Sequence, residues 1–242
     1  MSGPVQDATT SSGGSSEGSF RPGLCTFMAE WDEEGVFLYQ AFNSEIADWA
    51  LEHQQFGGPG FNPTRMTWVK PSFAWVLYRS GYGRKHNQER ILKIKVPHAA
   101  LAKLLARCSC KHGGGGSLGR VQWDPARDLL SADGREPRKR RDRAIQIGLK
   151  GRLSELYVQS VLSIQDCTDL AHDVGKIHSL KDPREVARGM EALKHELPVE
   201  TPYMPPCDEA VLKKLLLQES EPGDSEAPRH APHRVMGHRP RR

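Results

Sequence analysis

The chain has 242 residues, with 34 Lys and Arg against 30 Asp and Glu for a formal charge of +4. No apolar run approaches the roughly 20 residues that a membrane-spanning helix needs, so no membrane association is expected. Five cysteines, an odd number without regular spacing, argue against a disulfide framework and fit a reducing compartment, cytoplasmic or nuclear.

Both ends read as unstructured. Residues 1–22 are Ser-, Gly- and Thr-rich with almost no large apolar side chain to offset the entropy of ordering, and no charged stretch leads into an apolar leader there. Residues 220–242 are rich in Pro, His, Arg and Glu and end in Arg239-Pro-Arg-Arg242. The expected division is one α+β domain over 23–180, a helical extension packed on it over 181–219, and a basic tail.

In chain order, Val36–Phe42 reads as a strand, and Asn43-Ser44 caps a helix through Leu51. Gly57-Gly-Pro-Gly60 opens a loop. Met66–Val69 is extended, because Lys70 precedes Pro71 and is kept out of the helical region. A helix then starts at Pro71 or Ser72, with Phe73, Val76, Leu77 and Ser80 on one face, Trp75, Tyr78 and Arg79 on another, and Gly81 at its end. Ile91–Val96 is a half-exposed strand, and His98–Arg107 a short amphipathic helix. Lys111–Gly119 is a Gly-rich loop that lacks the Gly-Lys-Ser/Thr of a phosphate loop. Arg120–Pro125 is a short strand ending in a turn, with Asp124 turning the chain or anchoring Arg127 or Arg120. Ala144–Leu149 is another strand, Leu153–Leu162 a mixed segment and Ser163–Asp166 extended. Helices are expected over Pro183–Leu197 and Asp208–Gln218. Trp68 and Trp123 read as core residues, and His53, His86 and His98 as surface residues.

One stretch stands apart. Residues 65–83 hold two Trp, two Tyr, one Phe and three basic residues, and no Asp or Glu occurs from His53 to Gln88. Unbalanced cations beside aromatic faces suit an anionic ligand carrying a flat ring. A Trp-rich core with a solvated basic rim is the competing reading. Arg135–Arg143, with six basic residues against two acidic, reads as a solvated loop or a nuclear-localisation or nucleic-acid signal. Cys108, Cys110 and His112 lack a second ligand pair at zinc-finger distance, so no metal is expected.

Tyr39-Gln-Ala-Phe-Asn43, Met66-Thr-Trp-Val-Lys-Pro-Ser-Phe73 with Trp75 and Tyr78-Arg-Ser-Gly81, Arg120-Val-Gln-Trp-Asp-Pro125 and Ile145-Gln-Ile-Gly-Leu149 resemble the family filed as domain of unknown function 4291. The likeness runs from about Val36 to Asp166. That family in turn resembles the ADP-ribosyltransferase fold, with split antiparallel sheets and flanking helices around a cleft for NAD. The resemblance implies that Tyr39 and Gln40 take the first-strand place, Ser72 with Trp75 and Tyr78 the second, and Gln146 the third. It puts Arg65, Lys70 and Arg79 on the pyrophosphate and the aromatic rings on the ligand's rings.

The departure is at Gln146, where the transferase pattern carries a Glu. A neutral Gln hydrogen-bonds but supplies no charge to a cationic transition state. Glu89 and Glu155 are the candidate substitutes. Three readings therefore stay open: an enzyme that uses NAD as a substrate and transfers ADP-ribose to a protein or nucleic-acid acceptor, a nucleic-acid-binding module, and a non-catalytic nucleotide binder. A monomer is expected.

Overall fold

A computed structural model describes residues 25–110, 118–129 and 138–217. The tails expected at 1–22 and 220–242, most of the Gly-rich loop and His112 lie outside the described residues. The chain opens with β1 (Met28–Ala29), β2 (Gly35–Phe42), α1 (Ser44–His53), β3 (Thr67–Val69) and α2 (Phe73–Ser80). It continues through β4 (Arg90–Pro97), α3 (His98–Ala106), β5 (Cys108–Ser109), β6 (Gly119–Asp128), β7 (Arg138–Leu149) and α4 (Arg152–Gln159). It closes with β8 (Ser163–Asp166), α5 (Thr168–His178), α6 (Pro183–Leu193), β9 (Thr201–Pro202) and α7 (Glu209–Lys214).

The class is α+β. β2, β4 and β8 form an antiparallel sheet, β3, β7, β6 and β5 form a second sheet, and β1 pairs with β9. The second sheet is mixed, because β5 runs parallel to β6. The two larger sheets meet where Tyr39 and Lys70 exchange backbone hydrogen bonds, at 2.6 and 3.2 Å. This bridge continues β3 by one residue, into the position that Pro71 keeps extended. The main core lies against both sheets, with Leu38, Leu92 and Ile94 from one and Val69, Val121, Ile145 and Ile147 from the other.

Local chemistry sets the boundaries. The Asn43 side chain accepts the Ile46 N–H and starts α1, a cap worth about 1 kcal/mol. Gly81 takes the left-handed conformation that ends α2. The N-terminus of α2 is capped differently: its first N–H, on Phe73, donates to the buried Glu200 carboxylate at 2.8 Å. Glu200 comes from the segment beyond α6, so that segment is fastened directly to the helix after β3.

Three sequence expectations change. β6 does not end in a turn at Asp124-Pro125 but runs on to Asp128 through an irregularity between Pro125 and Arg127. β7 begins at Arg138, so much of the basic run is strand and not loop. Residues 135–137 of that run lie outside the described residues. His98 is no free surface residue: its ring nitrogens contact the Tyr203 hydroxyl at 2.9 Å and the Asp32 carbonyl at 2.8 Å.

Candidate functional site

Alternation along β3, β7 and β6 decides which side chains share a face. Val69, Val121, Ile145, Ile147 and Leu149 go to the main core. Trp68, Lys70, Gln122, Asp124 and Gln146 fall on the other face, with Gln122 opposite Gln146, Asp124 opposite Ala144 and Trp68 opposite Gly148. A Cβ at position 148 would come within 2.9 Å of both the Met66 sulfur and the Trp68 indole. Only glycine leaves room for Trp68 to cover that end of the face. At the other end Trp75 of α2 packs on Ala126 and Ala144, small residues that let the helix approach the sheet.

Lys70 is the enclosed cation of this face. The residue is 8% exposed, its ammonium donates to the Trp68 carbonyl at 3.3 Å, and it stands 5.1 Å from the centre of the Trp75 ring. Burial, and then the Arg79 guanidinium, pull its pKa down to about 8, while Asp124 acts the other way. One of three N–H groups has an acceptor among the described residues.

Gln146 is held by two neighbours. Its amide nitrogen donates to Gln122 Oε1 at 3.1 Å and to the Asp124 carboxylate. A carboxylate can only accept, so Asp124 fixes which end of the Gln146 amide faces it. Gln146 Oε1 and Gln122 Nε2 are left without a partner among the described residues. Burial raises the Asp124 carboxyl above its usual range, against the pull of Gln146, Lys70, Arg143 and Arg79. The face thus combines an acceptor-only carboxylate, an amide acceptor, an amide donor and a buried ammonium.

The candidate residues from sequence divide. Lys70 and Gln146 share the face, and exposed Arg79 acts on both Lys70 and Asp124 through its charge. Gln40 does not reach it. Its amide nitrogen donates to Thr67 Oγ1 at 2.7 Å and to the Trp68 carbonyl at 3.2 Å, and its oxygen accepts the Tyr157 hydroxyl at 2.7 Å. It ties β2, β3 and α4 together. Tyr39 reaches the site only through its backbone; its fully buried ring packs on Phe73 and its hydroxyl donates to Glu30 at 2.7 Å. Ser72 is 1% exposed, and its hydroxyl has no partner among the described residues.

The aromatic platforms expected at Trp75 and Tyr78 are covered by the protein's own cations. Trp75 is buried under Lys70, and the Arg127 guanidinium lies 3.5 Å from the centre of the Tyr78 ring. Within the 65–83 stretch Lys70 is paired with Trp75, while the cation on Tyr78, Arg127, comes from β6. Arg65 stands apart, lining a cavity that none of Lys70, Arg79, Asp124 or Gln146 lines.

Neither Glu89 nor Glu155 is placed with Gln146 on this face. Glu89 accepts the Asn87 N–H at 2.8 Å, and Glu155 lines a different cavity with Phe56 and Pro63. The acid on the face is Asp124. Its signal in the sequence is the alternation of polar Gln122 and Asp124 with apolar Val121 and Trp123, which the turn-forming Asp124-Pro125 pair masks. Burial pushes the Cys108 thiol up to about 12, and it donates to the Leu104 carbonyl at 3.3 Å. Among the described residues no three His, Cys, Asp or Glu side chains are grouped to hold a metal, and no helix is long and apolar enough to cross a membrane.

No curated protein matches the chain. Over residues 26–203, from just before β1 to just after β9, the sequence matches the model of a family described as Domain of unknown function (DUF4291), and the chain belongs to that family.

Proposed function

We propose that the polar face of the four-stranded sheet binds NAD as a substrate and that the chain is an ADP-ribosyltransferase-like enzyme. The observation that carries this reading is the Asp124 carboxylate, clamped to Gln146 and set near the buried Lys70 where the two sheets meet. That two sheets meet at a backbone bridge beside this face also supports the reading. Breaking the bond between ribose and nicotinamide sends its electron pair to the nicotinamide nitrogen and leaves a ribosyl oxocarbenium ion. Asp124 supplies the negative charge that opposes it, which a neutral Gln cannot. It then accepts the proton of the acceptor hydroxyl as the new C–O bond forms. Gln146 Oε1 is oriented to accept a ribose hydroxyl, while Lys70 and Arg79 hold phosphate oxygens. The acceptor is a protein or a nucleic acid; the basic run on the same strand as Gln146 favours the latter.

Millimolar NAD or ADP-ribose should raise the melting temperature of the full chain, because a ligand that binds only the native state stabilises it. No shift with either ligand sinks the reading. Asp124→Asn keeps an acceptor oxygen and the volume of the side chain but loses the charge. It should retain the NAD-induced shift while release of nicotinamide falls roughly 100-fold or more. Turnover that survives the substitution removes Asp124 from the chemistry.

A further inference from the structure

Arg65 lines a cavity of about 330 Å³, within the range of small-ligand sites, where the end of β2, the start of α1 and the loop before β3 converge. Its wall includes Phe42 and Phe61 on the apolar side and Asn62, Thr67 and Asn87 on the polar side, and no acidic residue. The Arg65 guanidinium has no hydrogen-bond or ion-pair partner among the described residues.

The polar wall is built in advance. Asn62 accepts the Thr64 N–H and hydroxyl at 2.9 and 2.6 Å through its Oδ1, which turns its NH₂ away from that turn. Asn87 sits in the left-handed region at φ 60°, held by its backbone N–H on Glu89. Beside the wall residue Gly60, the Glu45 carboxylate lies 3.1 Å from where a Cβ on that glycine would stand, so a side chain there would meet it. A single guanidinium fork with no ion-pair partner among the described residues selects a phosphate or carboxylate. Amide donors beside two phenyl rings select a flat, polar-edged ring.

The cavity adjoins the polar face. Met66 and Thr67 line it, and the same extended segment leads to Lys70. At roughly 3.3 Å per residue, Met66 to Lys70 spans about 13 Å. That is a distance over which a pyrophosphate link can join two nucleosides.

We infer that this cavity holds a nucleoside monophosphate, the adenylate half of the dinucleotide whose ribosyl end lies at Asp124 and Gln146. Arg65 takes the adenylate phosphate and Glu45 a ribose hydroxyl, while Phe42 and Phe61 face the base. The assignment of the second half rests on the NAD reading, and the mononucleotide site does not.

The test titrates the full chain with AMP, with nicotinamide mononucleotide, with NAD and with inorganic phosphate, by calorimetry, on wild type, Arg65→Ala and Lys70→Ala. Arg65 is exposed, so its substitution leaves folding intact, which circular dichroism checks. AMP should bind the wild type more tightly than inorganic phosphate, weaken at least tenfold in Arg65→Ala and bind Lys70→Ala unchanged. Nicotinamide mononucleotide should show the reverse pattern. AMP that does not saturate, binds no better than phosphate, or is indifferent to Arg65 overturns the inference. AMP binding that depends on Arg65 while nicotinamide mononucleotide and NAD fail to bind keeps the mononucleotide site and removes the NAD reading.

Discussion

Lys70 carries a cost that a protein does not normally accept in its interior. An ammonium ordinarily titrates at 10.5, and here burial brings it to about 8. The sign follows from the protons bound. Below pH 8 both folded and unfolded chains hold the proton, and the native state bears the full cost of the buried charge. Between about 8 and 10.5 the native state releases it while the unfolded state keeps it, so stability rises with pH. The gain is at most about 3 kcal/mol across that window. Urea unfolding of wild type and Lys70→Met at pH 7, 9 and 10.5 should show this slope in the wild type and its loss in the variant. Equal slopes would mean that the ammonium is hydrated. Ligand binding should run the other way. If Lys70 holds an oxygen anion, NAD affinity falls as pH passes through about 8 and the cation disappears. A residue that costs stability in the state that would bind ligand is characteristic of a site rather than of a core.

At the scale of elements, the site depends on α2 being held against the four-stranded sheet, by its buried side chains and, at its first turn, by Glu200. Without its carboxylate, the Phe73 N–H is a buried donor with no acceptor, a loss of about 1–3 kcal/mol. Glu200→Ala should lower stability by that amount, and Glu200→Gln, which retains an acceptor oxygen, by less. Chemical denaturation of the two variants decides it; equal losses would show that charge, and not the acceptor, matters. The sequence made the unit from Met66 to Gly81 readable, because Pro71 and Gly81 punctuate it and the apolar residues repeat at helical spacing. The cap was hidden because its partner is 127 residues away. β1 and β9 are two residues each and too short to show a period. The start of β7 is hidden because Arg138-Lys-Arg-Arg-Asp-Arg143 is charged at every position, which erases the two-residue alternation that marks a half-buried strand. α5 is hard to read from the sequence for a related reason. Gly175 weakens its helical pattern, yet a Cβ there would meet the Tyr82 side chain at 2.8 Å, so the glycine serves packing.

At the scale of the molecule, the chain closes on itself near both ends of the family match. Met28 and Ala29 pair with Pro202 and Thr201, and Phe27 meets Tyr203 edge to face with ring centres 5.3 Å apart. The matched span, 26–203, begins and ends beside this closure. The residues after 180 are thus joined to the first strand and to α2. In contrast, the two principal sheets share one backbone bridge, at Tyr39 and Lys70. Gln40, bonded to Thr67, Trp68 and Tyr157, reinforces it.

Pro125, in the middle of β6, bears on how chains meet one another. β5 pairs β6 only at Gly119 and Arg120, so among the described residues the outer margin of β6 beyond Arg120 has no neighbouring strand. Such a margin invites a second molecule to add its own strand. A proline, with no N–H to offer, and the irregularity after it deny that template. Pro125→Val should restore the missing donor and shift sedimentation toward dimers or larger assemblies as concentration rises. A variant that sediments like the wild type at every concentration would mean that something other than Pro125 keeps the margin from recruiting a partner.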